Sequence, residues 1–558
     1  MNKLISSLLL IMLCTGTSAQ RADYRVVPLP QSVQTDTTKC FTLSSGMTIA
    51  YDAANPEVAR TAMWLRQWVS DAAGLTLTLA PDDRHAAVTL ALVPKGAAKG
   101  KARRKAAPVA EAPDGAEQSR YAISVGKEGI RLTAATAEGL FRAAQTLRKS
   151  LPIADSQTAW QAVECPYATV TDVPRFGYRG VHFDTARHYF GIDVIKQYID
   201  LMAMHGCNQL HWHITDDQGW RFEVKAYPRL AREGSVRRQT VLGTNSSIYD
   251  GVPHGGFYTQ EECREVVNYA AQRYINIIPE IDLPGHMMSA LHVFPELGCT
   301  GGPYQVMERW GISDDVLCAG NDDVLTFLRT VLGEICDVFP SPYIHIGGDE
   351  CPKVRWKNCA KCQAKGRQLG ITAQEGRTVE AQLQTYINSQ MEQFLAGRGR
   401  VIIGWDETLE GGLTENAIVM SWRGMNGGIE AARQHHRVIM SPTDYCYIDY
   451  YQTRSHWGAP LGIGGYVPCS KVYSLEPVPE ALTADEQPYI LGPQVNLWGE
   501  YVAYPEHVFY MLLPRLDAIS EVQWTPAEAK DYDDFRQRLN HMLRLYDKAG
   551  ITYCHTIE

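Results

Sequence analysis

The 558-residue sequence has a deficit of positive charge and, beyond its first twenty residues, no long apolar run. Its 53 Lys and Arg residues are outnumbered by 62 Asp and Glu residues, and the formal net charge is -9. This balance argues against nucleic acid or an anionic membrane surface as a partner. Without an apolar stretch long enough to cross a bilayer, a membrane-spanning helix is not expected. A neutral ligand is compatible with both deficits.

The N-terminus has the pattern of an export signal. Lys3 supplies a positive charge, Leu4 to Leu13 form a short apolar run, and Thr17-Ser-Ala19 is a small-residue cleavage site. The pattern predicts a signal peptide over residues 1–19 and an exported protein, periplasmic or secreted, in a compartment that permits disulfides. Cys14 follows Leu13 instead of a small residue, which favours signal cleavage over lipid anchoring.

Fourteen cysteines, one of them inside the signal peptide, leave an odd number in the mature chain, so at least one thiol is free or intermolecular. Cys359-Ala-Lys-Cys362 has zinc-knuckle spacing, and Cys351 lies close by. A structural zinc needs four ligands, and no fourth cysteine stands at an obvious spacing. A disulfide plus a spare thiol is therefore the favoured interpretation. Cys299 and Cys318 are expected to form a further disulfide.

Residues 20–172 predict a small α+β domain. Helical periodicity and short strand-type runs alternate there. The predicted helices and strands are Val58–Ala73, Val88–Val93, Tyr121–Val125, Ile130–Thr133 and Ala137–Lys149. An Ala, Lys, Arg and Pro-rich segment near residues 95–118 cannot bury a core and predicts a disordered surface insertion. A nucleic-acid-binding arm is the less favoured alternative, given the acidic whole.

Residues 173–558 alternate strand and helix patterns and predict a (β/α)8 TIM barrel with a C-terminal helix. The eight predicted strands are Tyr178–Asp184, Asn208–Ile214, Ile275–Ile281, Tyr343–Ile346, Val401–Trp405, Ile418–Trp422, Arg437–Ser441 and a run within Ile490–Trp498. Glu506–Ser520 predicts the last barrel helix, and Asp531–Lys548 a helix that covers the barrel. A doubly wound open sheet is the alternative, but no Gly-rich phosphate loop follows the first strand.

Polar and aromatic side chains follow nearly every predicted strand, at the end where TIM barrels carry their sites. Gly347-Gly-Asp-Glu350 places two carboxyls side by side after strand four. Their repulsion should raise the pKa of at least one of them. Carboxylates and Arg bind hydroxyls through charge-assisted hydrogen bonds, and Trp faces can cover the apolar face of a pyranose. An acid beside a carboxylate is the equipment for cleaving a glycosidic bond.

Five motifs resemble those of the family 20 glycoside hydrolases, the β-N-acetylhexosaminidases. They are Arg179-Gly with Asp184-Thr-Ala-Arg-His188, His211-Trp-His-Ile-Thr-Asp-Asp-Gln-Gly-Trp220, Glu280-Ile-Asp-Leu-Pro-Gly-His286, Gly347-Gly-Asp-Glu350 and Trp498-Gly-Glu500. The resemblance runs from about residue 24 to the C-terminus. It implies a (β/α)8 barrel preceded by a small α+β domain, with no metal or cofactor.

The resemblance also implies roles. Glu350 matches the family's general acid/base, Asp349 the acid that stabilises the substrate acetamide, and Tyr447 the tyrosine that hydrogen-bonds its oxygen. The remaining matches are Trp405, Trp422 and Trp498 as walls of the sugar pocket, Arg187, Asp449 and Glu500 as holders of sugar hydroxyls, and Asp217 and His286 as a supporting network.

The activity so implied is the release of terminal β-linked N-acetylglucosamine, N-acetylgalactosamine or both from glycans. It would be exo-acting and retaining, through an oxazoline formed by the substrate's own acetamide. A disaccharide-releasing relative is an alternative. A metal-dependent barrel hydrolase built on His211-Trp-His213 and a non-catalytic sugar-binding protein are less favoured alternatives. Asp349 and Glu350 are both present, which argues against the last of these.

Overall fold

The structure, a computed structural model, describes residues 20–81, 83–94, 115–154 and 160–558. The predicted signal peptide and residues 95–114 of the predicted insertion lie outside these ranges. Residues 115–118 of the predicted insertion are ordered: 115–116 form a turn, and the 3₁₀ helix Glu117–Ser119 follows it. Within the described ranges, no helix is long and apolar enough to cross a membrane.

A seven-stranded mixed sheet and two helices form the N-terminal region. In spatial order its strands are Ser32–Ser44, Ala162–Asp172, Tyr121–Gly126, Gly129–Ala134, Val88–Leu92, Thr48–Ala50 and Thr78–Leu79. The helices Pro56–Ala73 and Ala137–Ser150 contact each other and bury their apolar residues with those of the sheet. Asn55 caps the first helix by accepting hydrogen bonds from the amides of Glu57 and Val58.

Eight parallel strands close into a barrel. In chain order they are Gly180–Asp184, Gln209–His213, Asn276–Glu280, Tyr343–His345, Val401–Trp405, Ile418–Ser421, Val438–Met440 and Ile490–Leu497, called strands one to eight below. The longer helices around them are Ile192–Met204, Gln260–Ala271, Asp322–Val338, Val379–Ala396, Asn426–Arg433, Pro505–Leu512 and Arg515–Trp524. The predicted TIM barrel preceded by a small α+β domain is confirmed.

Short elements lie in the connections between strands and helices. The helices among them are Met288–Val293, Val354–Asn358, Ala360–Gln368, Thr443–Cys446 and Cys469–Tyr473, the 3₁₀ turns are Pro295–Leu297, Asp406–Leu409, Gln487–Tyr489 and Ala527–Ala529, and Leu230–Gly234 is a π-turn. Two-residue strands pair as Thr215–Asp216 with Gly219–Trp220 and as Val236–Arg237 with His254–Gly255. Those that follow the strands lie at the end of the barrel where the strands terminate.

The predicted final barrel helix over Glu506–Ser520 is wrong in one respect, because two helices occupy that stretch. Pro505–Leu512 ends before Leu513, and Arg515–Trp524 begins after Pro514. Proline lacks the amide donor that a continuous helix needs and disfavours the helical conformation in the residue before it. The C-terminal helix is present as Tyr532–Ala549, capped by Asp531.

Buried polar bonds fasten the N-terminal region to the barrel. The guanidinium of Arg179, at the start of strand one, donates to Ser119 Oγ at 3.1 Å and to the carbonyl oxygen of Gly206 at 2.8 Å. Trp524 Nε1 donates to Asp172 Oδ2 at 2.9 Å. The two regions therefore share a continuous interior.

Candidate functional site

The register of the barrel sets four strand ends at one level. Asp184 of strand one lies beside His213 of strand two, His213 beside Glu280 of strand three, and Glu280 beside His345 of strand four. Because all strands are parallel, the loops that follow them emerge from the same end of the barrel. The polar clusters predicted after separate strands therefore share one rim.

Glu280 is the centre of a buried polar group inside the barrel, where apolar residues usually fill the space. Its carboxylate accepts from Nε2 of His211 at 2.9 Å, from Nδ1 of His213 and from Nε1 of Trp405 at 3.0 Å. Nδ1 of His345 lies 3.0 Å away. Burial alone would raise the pKa of Glu280, but the surrounding histidines hold it well below its usual range. Glu280 is therefore a charged structural centre beneath the rim.

The turn after strand four depends on two glycines. Gly347 has φ +62°, and a Cβ at this position would lie 1.8 Å from Oδ1 of Asp282. The amide of Gly348 donates to that same carboxyl oxygen at 3.0 Å. The next two residues are Asp349 and Glu350, and Glu350 itself has φ +47°, in the left-handed region that non-glycine residues seldom occupy. Asp282 thus holds the turn that presents the two adjacent carboxyls.

Asp349 and Glu350 both face His286. Nε2 of His286 lies 3.8 Å from Oδ2 of Asp349 and 3.7 Å from Oε2 of Glu350, while its Nδ1 lies 3.2 Å from carboxyl oxygens of Asp216 and Asp217. Burial opposes protonation of His286, but Asp216 and Asp217 raise its pKa well above the usual value. A cationic imidazole therefore stands behind the carboxyl pair.

Asp349 is the buried member of the pair. Burial raises its pKa; the positive charge of His286 opposes this, and the charges of Glu280 and Glu350 reinforce it. The predicted raised pKa is confirmed for Asp349. Its Oδ1 has no hydrogen-bond partner among the described residues, whereas the side chain of Glu350 is 38% exposed. A buried acceptor without a partner costs free energy, so this oxygen is suited to receive a donor from a ligand.

Glu407 is a third carboxyl of this group. Its Oε2 accepts from Nε1 of Trp422 at 2.9 Å, and its Oε1 lies 3.5 Å from the amide nitrogen of Glu350. Burial, reinforced by the charge of Asp349, raises the pKa of Glu407 to about 8. Glu407 follows Trp405 by two residues in the sequence, but the predicted site did not include it. That adjacency was the available signal.

Aromatic side chains from the second half of the barrel form a continuous wall. The ring centroids of Trp405 and Trp498 are 5.8 Å apart, those of Trp498 and Tyr447 are 6.2 Å apart, and Tyr447 stacks against Trp422 at 6.0 Å. Burial, together with the charge of Asp349, raises the pKa of Tyr447 well above its usual value, so its hydroxyl remains protonated. Nε1 of Trp498 has no hydrogen-bond partner in the described part of the chain.

A further charged group next to Trp498 comprises Arg187, Glu500 and Asp449. The Arg187 guanidinium bonds Asp184 at 2.9 Å and Asp216 at 2.8 Å, lies 3.8 Å from Glu500, and its Cζ stands 5.1 Å from the Trp498 ring centroid. Neither carboxyl oxygen of Asp449 has a hydrogen-bond partner within the described ranges. Burial and the charge of Glu500 raise the pKa of Asp449 well above its usual value.

All of the predicted site residues lie at this rim and form one series of neighbours. The series comprises Arg187, Asp217, His286, Asp349, Glu350, Trp405, Trp422, Tyr447, Asp449, Trp498 and Glu500. The histidines of the alternative metal motif, His211 and His213, already contact other side chains. The ring nitrogens of His211 contact Glu280 and Gln494, and those of His213 contact Glu280 and Asp216. These imidazoles support the barrel centre.

The cysteine predictions are corrected. The described cysteines, including Cys351, are free thiols, so the expected disulfide between Cys299 and Cys318 is not formed, and no disulfide joins Cys359 or Cys362 to a described partner. Instead, Cys299, Cys318, Cys359 and Cys362 have their Sγ atoms within 4.8 Å of one another. Sequence spacing did not reveal this cluster, because Cys299 and Cys318 follow strand three whereas Cys359 and Cys362 follow strand four.

Two family profiles match the chain. The one described as "Glycosyl hydrolase family 20, catalytic domain" covers residues 176–527, and "Glycosyl hydrolase family 20, domain 2" covers residues 23–173. A protein of Porphyromonas gingivalis named β-hexosaminidase is 43% identical over 440 residues, which is 78% of this chain. The match spans only 55% of that relative's length.

Solved structures agree with this assignment. The chain is similar to the family 20 β-N-acetylhexosaminidase of Streptomyces coelicolor, with 28% identity, a TM-score of 0.78 and coverage of 96% of this chain and 99% of that one. An exo β-N-acetylglucosaminidase of Vibrio harveyi, solved in complex with N-acetylglucosamine, gives 28% identity and a TM-score of 0.78, covering 96% of this chain and 79% of that one. The barrel, the preceding domain and both profile matches place this chain in glycosyl hydrolase family 20.

Proposed function

We propose that this chain is an exo-acting β-N-acetylhexosaminidase that releases terminal β-linked N-acetylglucosamine, N-acetylgalactosamine or both from glycans. The proposal is carried by the buried Oδ1 of Asp349, which has no hydrogen-bond partner in the described part of the chain, next to the more exposed Glu350. The names of the relatives support it. Its substrate partner is a glycan, and export to the periplasm or the exterior, expected from residues 1–19, would place the enzyme where glycans are encountered.

Glu350 is proposed as the general acid and base. It is the more exposed of the two adjacent carboxyls, so it can reach the oxygen of a leaving group at the pocket mouth. In the first step its carboxyl gives a proton to that oxygen as the glycosidic bond breaks. In the second step its carboxylate takes a proton from the water that attacks the anomeric carbon. His286, 3.7 Å away, helps to hold the side chain in place.

The nucleophile is proposed to be the substrate's own 2-acetamido oxygen, which forms a bond to the anomeric carbon and gives an oxazoline. Tethering the nucleophile to the reacting ring supplies a high effective molarity. Glu407 is a poor candidate for this step because burial keeps its carboxyl neutral near pH 7 and its Oε2 is bonded to Trp422. Family 20 is a known exception to the two-carboxylate scheme.

Asp349 and Tyr447 are proposed to serve the acetamide. Positive charge develops at the acetamide nitrogen as the ring closes, and a buried carboxylate stabilises such a charge far more than one in water would. The Tyr447 hydroxyl, protonated because burial raises its pKa, can donate to the acetamide oxygen. Trp405, Trp422 and Trp498 would enclose the acetamide and the sugar ring.

The hydroxyl groups of the terminal sugar are proposed to bind Arg187, Asp449 and Glu500. Burial raises the pKa of both carboxyls, and the charge of Glu500 raises that of Asp449 further. A protonated carboxyl can donate to a sugar hydroxyl, and a carboxylate can accept from one. The buried oxygens of Asp449, which have no partner among the described residues, are suited to hydroxyls of a terminal sugar. A disaccharide-releasing relative is the second candidate.

The test is hydrolysis of matched aryl β-glycosides by purified protein. We expect turnover of the N-acetylglucosaminide, the N-acetylgalactosaminide or both, and almost none of the plain β-glucoside, which lacks the acetamide nucleophile. Proton NMR of the first-formed sugar should show retained β configuration. Inversion, or efficient hydrolysis of the β-glucoside, would contradict the mechanism. Release of a disaccharide from longer oligosaccharides would favour the second candidate, the disaccharide-releasing relative, over an enzyme that releases a single sugar.

A further inference from the structure

Four cysteine thiols meet where the loop after strand three contacts the segment after strand four. Sγ of Cys299 lies 3.8 Å from that of Cys362, and Sγ of Cys318 lies 3.8 Å from that of Cys359 and 3.6 Å from that of Cys362. All four sulfurs lie within 4.8 Å of one another. A disulfide would require about 2.05 Å between two of them.

These separations match the edges of a metal-thiolate tetrahedron. Four sulfurs at about 2.3 Å from a zinc ion are about 3.8 Å from each other. Two disulfides would draw the sulfurs together in pairs, whereas Cys318 is almost equally distant from Cys359 and Cys362. The arrangement is that of four ligands around a common centre.

We propose that Cys299, Cys318, Cys359 and Cys362 form a structural Zn²⁺ site. Cys359 and Cys362 have the C-x-x-C spacing of structural zinc ligands, and they lie at the start of the helix Ala360–Gln368. Cys299 and Cys318 are brought together by the backbone bridge between Gly298 and Leu317. Each of the two loops thus contributes one pair of ligands.

A helix N-terminus lies beside two of the sulfurs. Cys359 precedes and Cys362 lies within the first turn of a nine-residue helix, whose N-terminal end attracts negative charge. Cys318 and Cys362 are buried while Cys299 and Cys359 are partly exposed, which gives an ion a path from solvent.

The two loops approach each other so closely that one residue must be glycine. A Cβ at Gly320 would lie 2.2 Å from the carbonyl carbon of Lys361. Trp356 Nε1 donates to the carbonyl oxygen of Leu317 at 2.9 Å, and Arg355 pairs with Asp315 at 2.8 Å. A metal ion bound by the four sulfurs would add a further link between the two loops.

The proposed zinc would join the loops that carry the central machinery. The loop after strand three contains His286, Cys299 and Cys318, and the segment after strand four runs from Asp349 and Glu350 to the other two cysteines. Cys359 follows Glu350 by only nine residues. The role of the zinc is therefore structural, because it fixes one loop against the other.

Metal analysis of the full-length protein tests the site. Protein purified without added chelator and passed through metal-free buffer should contain about one zinc per chain by inductively coupled plasma mass spectrometry. Unfolding with a chromogenic chelator should release that zinc and expose four further titratable thiols. Cobalt exchanged into the protein should show the intense thiolate-to-metal absorption and the visible bands of tetrahedral coordination. These readings do not depend on glycosidase activity.

The matched variants compare cysteines inside and outside the cluster. The double variant Cys359→Ser and Cys362→Ser should lose the zinc and the cobalt spectrum, and its thermal midpoint should fall to that of chelator-treated wild type. Cys351→Ser, eight residues before Cys359, should keep one zinc per chain. If the double variant does not fold, the wild-type metal content and cobalt spectrum still decide. Stoichiometric iron with visible absorption in the purified protein, or peptides joined by disulfides at these cysteines with no bound zinc, would overturn the proposal.

Discussion

Glu280 and Asp349 are buried carboxyls at the same end of the barrel, but their surroundings are opposite. Glu280 ends strand three and contacts three histidines and Trp405, which hold its pKa well below the usual range. Asp349 follows strand four, has an oxygen without a partner among the described residues, and has a raised pKa. The first carboxyl is satisfied by the fold, whereas the second is prepared for a ligand.

Other carboxyls of the barrel fall into the same two groups. Asp184 and Asp216 pair with Arg187 and belong with Glu280. Asp449 has no partner for either oxygen within the described ranges and has a raised pKa, so it belongs with Asp349. Glu407 lies between the groups, because Trp422 donates to its Oε2 while burial raises its pKa to about 8. Because all are buried, burial does not separate the groups. The number of hydrogen-bond and ion-pair partners separates them. Carboxyls with several partners stabilise the fold, whereas a carboxyl without partners is suited to bind a ligand.

The largest expected effect comes from Glu350, the most exposed acid of the rim pair. Glu350→Gln keeps the size of the side chain but removes its transferable proton. We expect turnover to fall by about 10²–10⁴-fold, with the free energy of unfolding almost unchanged because the side chain has few contacts. The loss should be greater for a substrate with a poor leaving group than for a nitrophenyl glycoside. Equal losses on both substrates would count against an acid role.

The second largest effect is expected at Glu280, whose carboxylate contacts three histidines and Trp405. Glu280→Gln removes the charge that balances the surrounding imidazoles, and loss of one member of a buried ion pair costs about 3–5 kcal/mol. Urea unfolding should show that loss. Asp349→Asn, in the turn after the neighbouring strand, is the matched control, and its unfolding free energy should change by much less because its Oδ1 has no hydrogen-bond partner among the described residues. Equal destabilisation by the two variants would contradict the difference between the partnered Glu280 and Asp349.

The smallest effect concerns Glu407 and pH. Its pKa is about 8 in the folded chain against a usual value of 4.5. Between these values the folded state holds a proton that the unfolded state has released, so this group lowers stability as pH rises from 4.5 to 8. Glu407→Gln abolishes that contribution. Urea unfolding at pH 5 and pH 8 should show a smaller decrease for the variant, and identical decreases would argue against a neutral Glu407.

The barrel could be predicted because its strands are short apolar runs between helices with clear periodicity. The rim could be predicted because polar residues directly follow those runs, as in Gly347-Gly-Asp-Glu350. Some strands of the N-terminal sheet were missed because their sequence lacks apolar alternation. Ser32–Ser44 is the longest example: much of it is exposed, and its pairing shifts register between Asp36 and Cys40.

What the sequence did not reveal depends on contacts between distant residues. Cys299 and Cys362 are 63 residues apart and meet only because two loops leave adjacent strands. Glu280 was visible in a motif, but its role depends on imidazoles from strands two and four. Proximity of this kind arises from register and loop folding, which local spacing does not encode.

Proton exchange at the imidazole groups around Glu280 can report how often the barrel opens. The ring nitrogens of His211 and His213 are hydrogen-bonded and buried, so their protons exchange with solvent only when the barrel opens around them. Amide protons in loops exchange through small local fluctuations, whereas protons at the centre of a core exchange through its rarest openings. The exchange rate of these ring protons therefore measures how often the closed ring of strands parts, independently of movements in the loops above it.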